Sequence, residues 1–208
     1  MQIEQEIQKT GLKLIAGVDE AGRGAWAGPV VAAAVVLPVL DKTHGINDSK
    51  QLTPAQREKL FKKIHGLALA VGVGIADVAE INRMGVGQAS FVAMQRAVDN
   101  LEIKPEHILV DGYRVNFIQA PASGIIDGDA KSLSIAAASI VAKVTRDKIM
   151  TEAHNKYPRF GFAIHKGYGT VLHRERIAKH GTCAWHRKNF APIRQIITGS
   201  KVQVALHG

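Results

Sequence analysis

Leu12-Lys13-Leu14-Ile15-Ala16-Gly17-Val18-Asp19-Glu20-Ala21-Gly22-Arg23-Gly24, followed shortly by Val30-Val31-Ala32-Ala33-Ala34-Val35-Val36-Leu37, is the stretch on which the fold turns. Residues 12–18 and 30–37 are apolar runs of strand length containing β-branched residues, and they bracket the glycine-rich turn Gly22-Arg23-Gly24. They predict a β-hairpin whose first strand ends on the acidic pair Asp19-Glu20. Two adjacent carboxylates inside an otherwise apolar stretch have no turn-forming role, so the pair calls for a chemical reason.

Beyond the hairpin, helices and strands alternate. Thr53-Pro54-Ala55-Gln56 joins an N-cap threonine, a proline at the first helical position and a Gln three residues after the cap, which predicts a helix to about residue 65. Residues 67–75 read as a third strand. Val86, Ala89, Ser90, Ala93, Ala97, Val98 and Leu101 share one face at helical spacing, giving a helix over about 87–100. After Pro105, Ile108-Leu109-Val110 is a short strand ending at Asp111-Gly112. An extended pair, 115–119 and 125–126, leads on to Asp127-Gly128-Asp129. Residues 132–142 are apolar or small on all sides, as in a helix at the domain centre, and turn polar from Lys143 as that helix emerges. Pro158 and Gly161 stop that region, and a last helix is expected over 167–180, ending at Gly181. The pattern is that of an α/β fold, a central mixed sheet flanked by helices with a helical C-terminal region. No repeat or linker divides the chain, so 1–208 reads as one domain; 200–208 shows no motif and is expected to be loosely ordered.

Composition narrows the function. At 208 residues, 46% apolar and 22% charged, the chain can bury roughly 70% of its unfolded surface, which excludes a disordered tail or a disulfide-stapled miniprotein. The longest charge-free apolar run, 25–40, is interrupted by Gly28, Pro29 and Pro38 and is too short for the roughly 20 residues of a spanning helix, so no membrane is expected. With one cysteine, Cys183, and no basic-then-apolar start, a reducing, cytoplasmic setting is expected. Against 18 Asp and Glu stand 27 Lys and Arg, a net charge of +9 that suits a nucleic-acid binder, the alternative being a basic protein without a polyanion partner. The cations thicken from Lys143 onward, while 5% aromatics is too few for a base-stacking platform. The expected partner is a duplex held by its phosphates.

Asp19-Glu20 and Asp111 each follow a β-type apolar run, and carboxylates at strand ends are costly unless they bind a cation or pair with a base. Clustered carboxylates from separate strands suit Mg²⁺ or Mn²⁺, which take hard oxygen ligands; Asp129, between Gly128 and Ala130, is the candidate fourth. Asp111-Gly112 alone is equally a turn dipeptide. Gly22-Arg23-Gly24 alone reads as a hairpin turn, although Arg23 could meet a phosphate. It opens no dinucleotide loop, since a strand-like segment follows where a helix is needed, and neither a P-loop nor a zinc motif occurs. His165 beside Lys166 faces either a phosphate or solvent.

Taken in order, Gly17-Val18-Asp19-Glu20-Ala21-Gly22-Arg23-Gly24, Ala27-Gly28-Pro29-Val30-Val31, Asn47-Asp48-Ser49-Lys50-Gln51-Leu52, Val110-Asp111-Gly112, Gly128-Asp129-Ala130-Lys131-Ser132, the run from Ala136 to Asp147, and His165-Lys166-Gly167-Tyr168-Gly169-Thr170 resemble bacterial ribonuclease HII over nearly the whole chain. The resemblance implies a ribonuclease H-like fold and cleavage of RNA paired to DNA, including a single ribonucleotide embedded in duplex DNA, in ribonucleotide and primer removal. It implies that Asp19, Glu20, Asp111 and Asp129 hold two Mg²⁺ or Mn²⁺ ions about 4 Å apart, Asp19 bridging them, with 3′-hydroxyl and 5′-phosphate products. It implies that Gly22, Arg23 and Gly24 read the ribose 2′-hydroxyl, and that Tyr168 packs on the sugar of the following deoxynucleotide. Asn47, Lys50, Lys143, Arg146 and Lys166 become phosphate or substrate contacts, a solvated surface role staying open for each cation. Asp147 either supports the metal cluster or forms a helix-surface salt bridge. Ala25-Trp26 stands where the family usually has Pro-Leu, beside the motif and off every catalytic position. A monomer is expected. A nuclease of the same fold acting on all-DNA substrates, and a basic binder without chemistry, are the competing readings.

Overall fold

A computed structural model describes residues 2–40, 42–47, 49–112 and 114–198; the loosely ordered tail expected at 200–208 lies outside them. In chain order the elements are α1 (Gln2–Lys9), β1 (Ile15–Ala21), β2 (Val30–Val36), α2 (Pro54–Leu67), β3 (Ala70–Ala76), α3 (Val78–Met84), α4 (Val86–Asp99), β4 (His107–Asp111), β5 (Ala122–Ile125), α5 (Gly128–Lys131), α6 (Leu133–Lys156), α7 (Phe162–His165), α8 (Val171–His180) and α9 (Ala191–Thr198). Short 3-10 turns cover Ser49–Gln51 and Pro158–Phe160.

The strands form one mixed sheet in the order β3-β2-β1-β4-β5. β1 runs antiparallel to β2, with Asp19 opposite Ala33, and β2 antiparallel to β3. β4 lies parallel on the other side of β1, in the register Val18 to Val110, and β5 parallel to β4. Small and β-branched residues let helices cover both faces. Ala16, Val18, Ala32, Ala34, Ile108 and Val110 pack toward Ala89, Ala93 and Ala97 of α4. On the other face Ala33 and Val35 meet α6 and the α2 residues Leu60 and Ile64. Among the described residues no helix is long and apolar enough to cross a membrane.

The central helix α6 sits very close to β1. A Cβ built on Gly17 would fall 2.1 Å from the carbonyl carbon of Ser134, so only glycine leaves room for the helix there. Ser132 caps α6, accepting the Ile135 N–H at 3.2 Å. Glu4 of α1 adds a carboxylate at the same end, taking the Ser132 hydroxyl at 2.7 Å and the Ser134 N–H at 3.0 Å. A strap of eight residues thereby fixes the start of the helix that underlies β1.

The expected α/β architecture is present, with local differences. The hairpin of β1 and β2 forms as read, with β1 running on to Ala21 and an eight-residue connection, 22–29, that holds the glycine-rich turn. The capping box at Thr53 forms as read, but α2 continues to Leu67 and delays β3 to Ala70. Residues 115–119 turn instead of extending, the Ile118 N–H bonding Val115 O at 2.9 Å so that Ile118 can be buried. α6 does not surface at Lys143: Val144 stays buried beside α2, and Met150 and Ala153 stay buried with Phe160 and Phe162, as does Arg146 against the Lys166 turn. α8 begins only after the Thr170 N-cap, because 166–170 form a turn. The helices α1, α3, α5, α7 and α9 were not anticipated.

Candidate active site

The parallel register of β1 and β4 carries Asp19 and Asp111 to the same end of adjacent strands. Asp129 joins them from α5, where the preceding Gly128 donates its N–H to Asp111 Oδ1 at 2.8 Å. Burial, then the charges of Glu20 and Asp111, raise the Asp19 carboxyl well above its ordinary value, against the hydrogen bonds from the Glu20 N–H (2.7 Å) and Ser139. Burial likewise raises Glu20, with Arg23 opposing and Asp111 adding to it. Asp111 is raised by burial, opposed by the Gly128 N–H and reinforced by Asp129. These carboxylates share one small volume and repel each other.

Two cations partly answer them. Lys50 Nζ lies 2.8 Å from Asp129 Oδ2, and Arg23 Nη1 lies 3.5 Å from Glu20 Oε1. Among the described residues no three His, Cys, Asp or Glu side chains are arranged to hold a cation. The donor set itself is all carboxylate oxygen, rich in negative charge and free of His and Cys, which fits a hard divalent cation once Arg23 and Lys50 give way.

Asp19, Glu20 and Asp111 line an open cleft of about 330 Å³ together with Gly22, Arg23, Gly24, Lys50, Lys143 and Tyr168. Gly22 needs its glycine: φ is +92°, and a Cβ would lie 1.9 Å from Arg146 Nε. Tyr168 is fixed through its backbone, its N–H bonding His165 O at 2.9 Å and its carbonyl accepting from His173 Nδ1 at 2.9 Å. That bond leaves His173 Nε2 to accept from His186 Nε2 at 3.1 Å, and the Cys183 N–H closes the chain on His186 Nδ1 at 2.9 Å. Lys143 and Arg146 lie 5.5 and 5.2 Å from the Tyr168 ring centre.

Other expected contacts stand elsewhere. Arg146 is fully buried, so neither a direct phosphate contact nor a solvated role holds: its guanidinium donates to the carbonyls of Pro29, Lys166 and Ala27. His165 is also buried, bonded to Phe160 O and the Gly167 N–H, and faces neither phosphate nor solvent. Lys166 reaches Thr151 at 2.7 Å beside a neighbouring cleft with Arg57 and Lys148, and Asn47 turns to Gln51 at 3.4 Å. Asp147 pairs with Lys143 at 2.7 Å, the i,i+4 salt bridge of the two roles left open.

Sequence reasoning passed over Ser49, Ser139 and Arg187. The hydroxyls of Ser49 and Ser139 meet at 2.6 Å, linking the 49–51 turn to the support of Asp19. A single serine in the small and apolar run 135–142 was the available signal for Ser139. Nothing local marks Arg187, whose acceptors lie more than 150 residues away.

Residues 16–193 match the family model described as ribonuclease HII. Ribonuclease HII of Geobacillus kaustophilus is 49% identical over 201 residues, 97% of this chain and 77% of that protein. Ribonuclease HII of Acetivibrio thermocellus is 52% identical over 187 residues, 90% of this chain and 73% of that protein. Among solved structures, the ribonuclease H2 of Pyrococcus horikoshii superposes with a TM-score of 0.77 at 31% identity, covering 89% of this chain and 98% of that one.

Proposed function

The chain belongs to the ribonuclease HII family and is a ribonuclease H, and from that premise we propose that it hydrolyses the RNA strand of RNA/DNA hybrids and nicks duplex DNA 5′ to a single embedded ribonucleotide. The bond broken joins phosphorus to the O3′ of the preceding nucleotide; water supplies the new oxygen, leaving a 3′-hydroxyl and a 5′-phosphate. In the cell this serves ribonucleotide removal and primer removal in the cytoplasm. The observation that carries the reading is the convergence, in one cleft, of three mutually repelling carboxylates with the 22–24 turn and Tyr168.

Asp19, Glu20, Asp111 and Asp129 would hold two Mg²⁺ or Mn²⁺ ions. Such ions supply activation of the attacking water and stabilisation of the leaving oxygen. The protein's own groups do the rest. Ser139 and the Glu20 N–H hold Asp19 in place, and the Gly128 N–H holds Asp111. Lys50 and Lys143 at the cleft rim contact flanking phosphates, to which Lys166 and Asn47 contribute from farther along the duplex. The 22–24 turn recognises the ribose 2′-hydroxyl, and the Tyr168 ring packs on the next sugar, where a second 2′-hydroxyl would clash. The catalytic unit in this reading is one domain acting as a monomer.

The test is cleavage of a labelled DNA duplex carrying one ribonucleotide, beside an all-DNA control, with Mg²⁺, Mn²⁺ or chelator. A metal-dependent nick 5′ to the ribonucleotide, absent from the control, supports the reading. Cutting of the control points to a DNA nuclease, and salt-sensitive binding without a nick points to a binder; either outcome overturns it.

A further inference from the structure

Arg146 and Arg187 are both fully buried, and neither forms an ion pair with a described carboxylate. An unpaired buried guanidinium is tolerated only when its donors are satisfied, and here every nitrogen of both forks donates to a backbone carbonyl. Arg146 donates to Pro29 O at 2.9 Å, Lys166 O at 2.9 Å and Ala27 O at 3.0 Å. Arg187 donates to Gly28 O at 2.9 Å, Arg23 O at 2.9 Å and Pro29 O at 3.1 Å. Burial, then the charge of Arg146, pulls Arg187 down to about 9, so the pair sits together at a mutual electrostatic cost.

Four carbonyls of the 22–29 connection are thus drawn inward onto two cations. In a trans peptide the N–H points opposite to the C=O, and no cis bond occurs among the described residues. Pulling the Arg23 carbonyl toward Arg187 therefore turns the N–H of Gly24 the other way, and Gly24 lines the cleft. The Gly28 N–H, following the inward Ala27 carbonyl, is taken by Trp185 O at 2.8 Å, and Pro29 has none. The Gly24 N–H makes no hydrogen bond within the described residues. Arg146 extends the arrangement to the Tyr168 turn through Lys166 O, where Trp26 and Ala27 also donate to Gly167 O at 2.8 and 3.2 Å.

We propose that Arg146 and Arg187 are positioning residues for ribose recognition: their planar forks aim the Gly24 N–H into the cleft as a donor to the 2′-hydroxyl and fix its distance from Tyr168. This rests on reading the 22–24 turn as the ribose-reading segment. Lysine keeps the charge but has no planar fork able to reach three carbonyls at once, so charge and positioning can be separated.

Arg187→Lys is the first test, with cleavage kinetics on the single-ribonucleotide duplex and binding to that duplex and its all-DNA counterpart in chelator. The expected result is a kcat/KM lower by about tenfold or more. Affinity for the all-DNA duplex should stay within about twofold, while the preference for the ribonucleotide duplex shrinks. A folded variant that keeps the wild-type preference overturns the proposal. Should the variant not fold, backbone amide exchange of the wild-type protein decides instead. Gly24 should exchange fast when free and slow on the ribonucleotide duplex but not on all-DNA duplex; protection in the free protein, or no difference, overturns it. A wild-type protein that ignores the single ribonucleotide overturns the reading beneath the proposal. One that cuts there, together with an unaffected Arg187→Lys, sinks only the arginine role.

Discussion

Asp111→Asn should make the metal-free protein more stable while abolishing cleavage. Val18 and Val110 are register partners on parallel strands, so Asp19 and Asp111 lie side by side, about 4.8 Å apart along the hydrogen-bonding direction. Two unit charges at that spacing repel by about 3 kcal/mol at an effective dielectric constant near 20. Asp111 is only half-buried, and solvent in the open cleft reduces this to about 1–2 kcal/mol. Asparagine keeps an oxygen for the Gly128 N–H, so little else changes. For a chain of this size the gain corresponds to a melting temperature about 2–8 °C higher. The pH dependence has a definite sign. Asp19, Glu20 and Asp111 are raised in the folded state, first by burial, so the folded protein holds protons that the unfolded chain has released. Their contribution to stability is full below the ordinary carboxylate range and is lost as pH rises through the raised values. Wild type and variant should therefore melt together at low pH and separate toward neutral pH. Thermal unfolding in chelator across that range, with a cleavage assay alongside, is the measurement. Hybrid affinity should be retained. A lower melting temperature for the variant near neutrality, or full activity with Mg²⁺, would refute the reasoning.

Gly22→Ala should cost about 2–4 kcal/mol, since it combines a left-handed backbone with a Cβ 1.9 Å from Arg146 Nε, whereas Gly24→Ala, with open space around its Cβ, should unfold within about 0.5 kcal/mol of wild type. Denaturant unfolding checks both, and the reverse order contradicts the placement of Arg146. Tyr168→Ala should impair cleavage at a single ribonucleotide more than within long RNA tracts; equal loss on both in parallel kinetics argues against a junction role. Lys50→Ala should weaken binding of hybrids regardless of sequence and lower the slope of log affinity against log salt by about one. An unchanged slope would leave Lys50 with Asp129 alone.

What was legible in the sequence was what short-range chemistry writes there. Asp19-Glu20 after one apolar run and Asp111 after another mark strand ends that the sheet then brings together, and the Thr53 capping box forms from residues three apart. The register of β1 against β4 was not legible, because it pairs residues about 92 apart in the chain and no local signal reaches that far. Lys143 to Lys148 read as a helix leaving the core because polarity stood for exposure. In Arg146 the two come apart: its charge is buried because carbonyls from 27, 29 and 166 converge on it. Those carbonyls are free for a side chain only where backbone is irregular, as it is in the 22–29 connection and in the turn at 166. A loop that forgoes its own ladder bonds needs donors from elsewhere, and the buried guanidiniums of Arg146 and Arg187 meet that need while leaving the Gly24 N–H to the cleft.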